Sequence, residues 1–193
     1  MNISYGSTVA DDGELRLCGD VAGKRVVELG VGSPPNSVTM ARAGAKAIAL
    51  DPDARAIAAV RAAAEDAEVR VECHQGELAD LGFATSASVD LVVAIHSLGT
   101  VDDLPRLLRQ VHRVLKPGAP FVVATTHPVA VMFSSDRTAN HVYAHGVRSF
   151  AELYMSFERS NFHLDAVHEL SDHRVRDPLC PSVLVVRARK LGV

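Results

Sequence analysis

The 193-residue sequence has no apolar run approaching the length of a membrane span and no basic block longer than Arg187-Ala188-Arg189-Lys190. A bilayer crossing takes about 20 consecutive apolar residues, so the first absence argues against a spanning helix. The second, with 20 Lys+Arg against 23 Asp+Glu and a net charge of -3, leaves no electrostatic footprint for nucleic acid. Cysteine is scarce as well. Cys18, Cys73 and Cys180 are odd in number, far apart and without a Cys-x-x-Cys spacing, which argues against zinc or redox work and reads as reduced core thiols. Met1 to Gly6 lacks both the basic and the apolar region of a secretory signal. These absences predict a cytoplasmic protein, monomer or homodimer, that meets a small molecule and neither nucleic acid nor membrane. At this length and 48% hydrophobic, one domain over residues 1–193 is expected.

What the chain does have is a stretch around which the rest is arranged. Lys24 to Leu29 is short, apolar and β-branched, and it runs directly into Gly30 and Gly32. A chain leaving a buried parallel strand must turn sharply there and let a ligand approach its backbone. Asp51 ends a second apolar run, Ala47 to Leu50. An acid about 20 residues beyond the glycines is where a ribose hydroxyl is held, so the unit reads as an adenosine site.

The residues after Gly32 choose among adenosine cofactors. A dinucleotide site wants Gly-x-Gly-x-x-Gly, and Pro35 stands at the third glycine. Ser33 is expected to cap the next helix, with Pro34 and Pro35 in its first turn. The prolines delete N–H donors that would hold a pyrophosphate, which weakens the case for NAD, FAD or ATP.

Glu28-x-Gly30-x-Gly32, with Asp51 ending strand two, resembles the first two motifs of class I S-adenosylmethionine-dependent methyltransferases. Val111 to Gly118, followed by the strand Pro120 to Thr125, resembles that family's post-core segment. The resemblance covers nearly the whole chain and is strongest at residues 24–53 and 89–125. The family usually has a third glycine where this chain has Pro34. The resemblance implies a Rossmann-like α/β fold, doubly wound, with a mostly parallel seven-stranded sheet in the order 3-2-1-4-5-7-6 and the last strand antiparallel. It implies S-adenosyl-L-methionine as cofactor, held at Glu28, Gly30, Gly32, Asp51, Pro52, Glu77, Leu78 and His96. In that family the acid and glycines meet the methionine end, the acid after strand two takes the ribose, and an acid at the position of Glu77 meets the adenine amino group. A degenerate cofactor-binding protein without activity and a nucleotide-dependent enzyme on a similar sheet are the competing readings.

Outside that stretch, residues 1–22 read as a short polar lead with one helical turn. Tyr5 is expected on the surface, or over the cofactor, which this region often covers in the family. Ala54 to Ala64 is a helix by propensity, capped by Asp53, and Val69 to Cys73 is the third strand. Val89 to Ile95 is nearly continuous in apolar residues, as a strand covered on both faces must be. Ligands in such sheets sit beyond the carboxyl ends of the strands at the switch point between strands one and four, so Gly30 and His96 are expected to face each other there. Leu104, Leu107, Leu108, Val111, Val114 and Leu115 recur at helical spacing, with Arg106, Arg109 and Arg113 on a solvated face. Ser149 and Glu152 form a capping box for a helix through Ser160, and strands follow near Leu164 to Leu170 and Val183 to Ala188.

Residues 127–148 show neither helical nor strand periodicity, and so long a connection tends to be functional or mobile. They are expected to form the acceptor side of the pocket, with Tyr143 and His141 at the substrate. If the acceptor is a hydroxyl, a general base helps, and His127 ahead of His96 is the candidate. His141 and His145 have i, i+4 spacing but no third ligand, so no metal is expected.

Overall fold

The computed structural model describes residues 2–192. Five strands run parallel: β1 (Arg25–Leu29), β2 (Lys46–Asp51), β3 (Val71–Gln75), β4 (Leu91–Ile95) and β5 (Pro120–Thr126). β6 (Phe162–Leu170) and β7 (Val183–Lys190) complete a seven-stranded sheet in the order β3-β2-β1-β4-β5-β7-β6, with β7 antiparallel to both its neighbours. The architecture is the expected one. Every residue of β4 is buried, because both faces of the centre are covered, whereas β6 at the edge alternates between covered and solvated positions. Boundaries moved by about two residues: β3 begins at Val71 and β6 at Phe162, and Val89 contributes only an isolated bridge to Leu115.

The helices are α1 (Asp12–Leu15), α2 (Asn36–Arg42), α3 (Ala54–Asp66), α4 (Leu104–Val114) and α5 (Phe150–Arg159). Asp53 and Asp103 cap α3 and α4 through their carboxylates, and Ser149 and Glu152 form the reciprocal capping box of α5. On one face of the sheet, α4 and α5 press Leu107, Leu108, Val111, Leu153 and Phe157 onto Val27, Val92 and Phe121. Arg113 is not fully on the solvated face of α4: its guanidinium donates to the carbonyls of Leu81 and Ala84, both at 2.9 Å, and pins the loop after β3.

The opposite face corrects the reading of residues 1–22 as a polar lead. Ile3, Tyr5, Val9, Leu17, Cys18 and Val21 are buried against Val26, Met40, Leu91, Val93 and Val122. The seven-residue α2 cannot cover that face alone. The N-terminal segment fills the gap, at roughly 1.5–3 kcal/mol for each large apolar side chain buried. Tyr5 is therefore fully buried and not on the surface. Its hydroxyl donates to the buried Asp12 at 2.6 Å, and the same carboxylate oxygen accepts the N–H groups of Leu17 and Cys18. Burial pushes the Tyr5 hydroxyl and the Cys18 thiol well above their ordinary pKa values.

Residues 127–148 hold a short 3-10 turn (Ala130–Met132) and a Phe133–Ala139 bridge, and most of the remainder is exposed. Arg137 ties the segment to the Asp177 carbonyl, and Arg148 ties it to the Val101 carbonyl. Among the described residues, no helix is long and apolar enough to cross a membrane.

Candidate active site

The site is built where β1 and β4 end. Gly30 has φ +73, a conformation that L side chains rarely adopt, and its N–H donates to the Leu50 carbonyl at 2.8 Å. A Cβ there would meet the Cβ of Ser97 at 2.2 Å. Ser97 in turn donates its hydroxyl to the Leu29 carbonyl at 2.5 Å and so stitches the two strand ends together. Ser97, and not His96, thus faces Gly30 across the switch point. His96 has φ +55, and its Nε2 lies 2.9 Å from the Tyr5 carbonyl of the N-terminal segment.

Glu28 is fully buried one residue before the end of β1. Its Oε1 accepts from the N–H groups of Gly32 (3.3 Å) and Asn36 (3.0 Å), and its Oε2 from that of Ser37 (2.7 Å). This corrects the expected Ser33 cap. Pro35, at φ -65 and ψ 123, is still extended, so α2 cannot begin before Asn36 and Ser33 lies too early to cap it. The carboxylate of Glu28 caps the helix instead. Burial pushes the Glu28 carboxyl up from its ordinary value, and the donors of Ser37, Asn36 and Gly32 pull against that rise. A helix whose first N–H groups, on Asn36 and Ser37, already go to the Glu28 carboxyl, and which two prolines precede, is a poor seat for a phosphate.

Asp51 is nearly buried. Its two oxygens accept the N–H groups of Val31 and Asp53, each at 2.7 Å, holding the glycine loop against the end of β2. A carboxylate has about four lone-pair sites, so acceptor capacity remains for hydroxyl groups. Asn36, also buried, accepts the Ser4 N–H at 2.8 Å and donates to the Ser4 carbonyl at 3.0 Å.

These groups enclose a cavity of about 460 Å³. Gly30, Gly32, Asp51, Pro52, Leu78 and His96 line it, together with Ser97 and, from the N-terminal segment, Ser4, Gly6 and Ser7. A second cavity of about 410 Å³ shares Pro52 and Leu78 with the first and is walled by Glu77, Asp102, Asp103 and Arg106. Glu77 pairs there with Arg106 at 3.1 Å. Glu28 stands behind the wall of the first cavity and does not line it.

The methyltransferase-domain family model matches residues 27–123, a span that takes in Glu28, both glycines, Asp51, Glu77 and His96. The chain belongs to this family of S-adenosylmethionine-dependent methyltransferases. A ubiquinone biosynthesis O-methyltransferase of Xanthomonas oryzae pv. oryzae is 30% identical over 115 residues, which are 60% of this chain and 48% of that protein. The chain spans about half the length of the curated relatives it matches. Among solved structures, an S-adenosylmethionine-dependent methyltransferase from Mesorhizobium loti is 25% identical with a TM-score of 0.77, over 92% of this chain and 96% of the other. The geranyl diphosphate C-methyltransferase of Streptomyces coelicolor A3(2), solved with S-adenosyl-L-homocysteine, is 17% identical with a TM-score of 0.72, over 92% and 76%. At that identity the likeness concerns the fold.

The cavities of this family member suit an adenosine cofactor without phosphates. Two chambers share Pro52 and Leu78 in their walls, with the Asp51 carboxylate lining the first, and the N–H groups of Asn36 and Ser37 that open α2 are already taken by Glu28.

Three of the residues read from the sequence as acceptor-side or catalytic line neither cavity: His127, His141 and Tyr143. His127 is 5% exposed, its Nδ1 accepts the Val129 N–H at 3.2 Å, and its Nε2 lies 2.9 Å from Glu169. Because Nδ1 accepts, the proton sits on Nε2 and is donated to Glu169, so both nitrogens are committed. Tyr143 is exposed and accepts the Phe150 N–H at its hydroxyl, and His141 stacks on His145 at 4.4 Å. Among the described residues, no group of three or more His, Cys, Asp or Glu is placed to hold a metal. Sequence reasoning missed Asn36 and Ser4, because no local pattern signals a pairing between residues 32 apart.

Proposed function

We propose that the protein transfers the methyl group of S-adenosyl-L-methionine to a small-molecule acceptor, with a hydroxyl oxygen as the favoured acceptor atom. The observation that carries this reading is the pair of adjacent cavities sharing Pro52 and Leu78, with the Asp51 carboxylate in the wall of the first and a helix capped by the Glu28 carboxyl behind it. The names of the O-methyltransferase relatives support oxygen as the acceptor.

Asp51 would accept the ribose hydroxyls, Glu77 the adenine amino group, and the Gly30–Gly32 loop would pass close to the methionine end. Glu28 acts one layer back, by shaping that loop. The bound cofactor supplies an electrophilic methyl group, so the protein has to align a nucleophile and exclude water, which can account for much of the barrier reduction. For a hydroxyl acceptor, His96 replaces His127 as the first candidate for general base. A carbonyl oxygen only accepts, so His96 must donate Nε2–H to Tyr5 and keep its lone pair on Nδ1. Nδ1 has no hydrogen-bond partner among the described residues. Residues 127–148 leave β5 at the carboxyl edge of the sheet, and Tyr143 and His141 would stand at the outer rim where an acceptor enters.

Calorimetric titration with S-adenosylmethionine, S-adenosylhomocysteine and NAD tests the cofactor, and methyl transfer to a panel of small phenols and alcohols tests the activity. Binding of the first two without NAD, together with transfer, supports the proposal. Binding without transfer to any acceptor marks a degenerate cofactor-binding protein, and no binding at all removes the cofactor reading.

A further inference from the structure

We propose that Asn36 is a positioning residue that clamps the N-terminal segment so that the Tyr5 carbonyl holds His96 in a single tautomer, with Nδ1 as its basic nitrogen. This rests on the reading of His96 as the base. Both polar backbone groups of Ser4 are taken by one side chain, the Asn36 carboxamide, at 2.8 and 3.0 Å. Two contacts from a buried planar group fix the orientation of the segment as well as its position. Ile3 and Tyr5 on either side are fully buried, and the Tyr5 hydroxyl is anchored on Asp12. Farther along, the His173 N–H holds the Thr8 carbonyl at 2.9 Å.

Between these anchors lies Gly6, at φ +152, a conformation essentially confined to glycine. Its φ sets the tilt of the Tyr5–Gly6 peptide, whose oxygen is the acceptor for His96. A Cβ on Gly6 would lie 3.3 Å from Val9 Cγ2 and 3.7 Å from the His96 Nε2. Only glycine brings that carbonyl against the ring. Aspartate could not replace Asn36, since it lacks the donor for the Ser4 carbonyl and would set a second carboxyl group beside Glu28, whose Oε1 accepts the Asn36 N–H.

The test is the ¹⁵N signature of the His96 ring in the full-length protein at a pH where it is neutral, together with hydrogen exchange at the Ser4 amide. The wild-type protein should show one Nε2–H tautomer and a protected Ser4 amide. Asn36→Ala should give a mixture of tautomers, at least tenfold faster exchange at Ser4, and about tenfold lower turnover with any acceptor the wild type methylates. Gly6→Ala, at a half-buried position outside any helix or strand, should give the same mixture of tautomers and serves where Asn36→Ala does not fold. A single Nε2–H tautomer retained in either folded variant, or a mixture already present in the wild type, overturns the proposal. Should the tautomers behave as stated while His96→Ala keeps full turnover, the clamp is upheld and its catalytic purpose is overturned. That outcome is separate from failure of the cofactor to bind.

Discussion

A Cβ placed on Gly30 would lie 2.2 Å from the Cβ of Ser97, at the point where the strand order reverses. The two residues, at the ends of β1 and β4, both line the first cavity. Gly30→Ala should therefore be costly twice, through the clash and through φ +73, and we expect a loss of about 2–4 kcal/mol in urea unfolding. Ser97→Gly introduced alongside should recover part of that loss, because the clash goes and the backbone strain stays. A double-mutant cycle with no coupling would show that the two do not meet.

Asp51→Asn should weaken binding of S-adenosylhomocysteine by tenfold or more, in line with roughly 1.5–3 kcal/mol for each hydrogen bond to a charged group. The asparagine keeps one oxygen for a backbone N–H, so the variant should remain folded. Calorimetry showing unchanged affinity in a folded protein would contradict the ribose assignment.

The two histidines should separate in kinetics. His127→Ala removes the acceptor of the Val129 N–H and the partner of Glu169, so it should lower stability by about 1–3 kcal/mol while turnover stays within about threefold. His96→Ala should lower turnover by about 100-fold, the scale of a lost general base. A reversal of the two effects would restore His127 as the base, and full activity in both would leave alignment alone as the source of rate.

The pH dependence of stability should carry a mark from Asp165. Partial burial raises its pKa, but hydrogen bonds from Arg187 and Arg189 outweigh that and hold the carboxyl below the ordinary aspartate value of 3.8. A depressed folded-state pKa contributes stability above the unfolded value and loses it as the pH falls through the folded one. Asp165→Asn should thus cost about 1 kcal/mol near neutral pH, with the difference from wild type fading below pH 3.8. Equal differences at pH 7 and pH 2 would rule this out.

By itself the sequence determined the order of elements, the doubly wound class and the two motif strands, since these are written in local terms. A strand covered on both faces must be apolar throughout, as Leu91–Ile95 is, and a helix must cap its own first turn, as Ser149 and Glu152 do. Glycine at 30 and an acid at 51 are likewise demands of a single turn and a single strand end. Tertiary structure decided whatever depends on which distant group arrives first at a polar atom. Ser33 would be a reasonable cap read locally, yet the Glu28 carboxylate, brought there by β1, takes the N–H groups of α2. Tyr5 is buried because the sheet face above α2 needed cover, and His127 is occupied because β6 runs Glu169 alongside it. Ser4 and Asn36 meet for the same reason. Hydrogen bonds and packing act through space over a few ångströms, whereas periodicity and capping act along the chain, and only the latter can be read before the chain has folded.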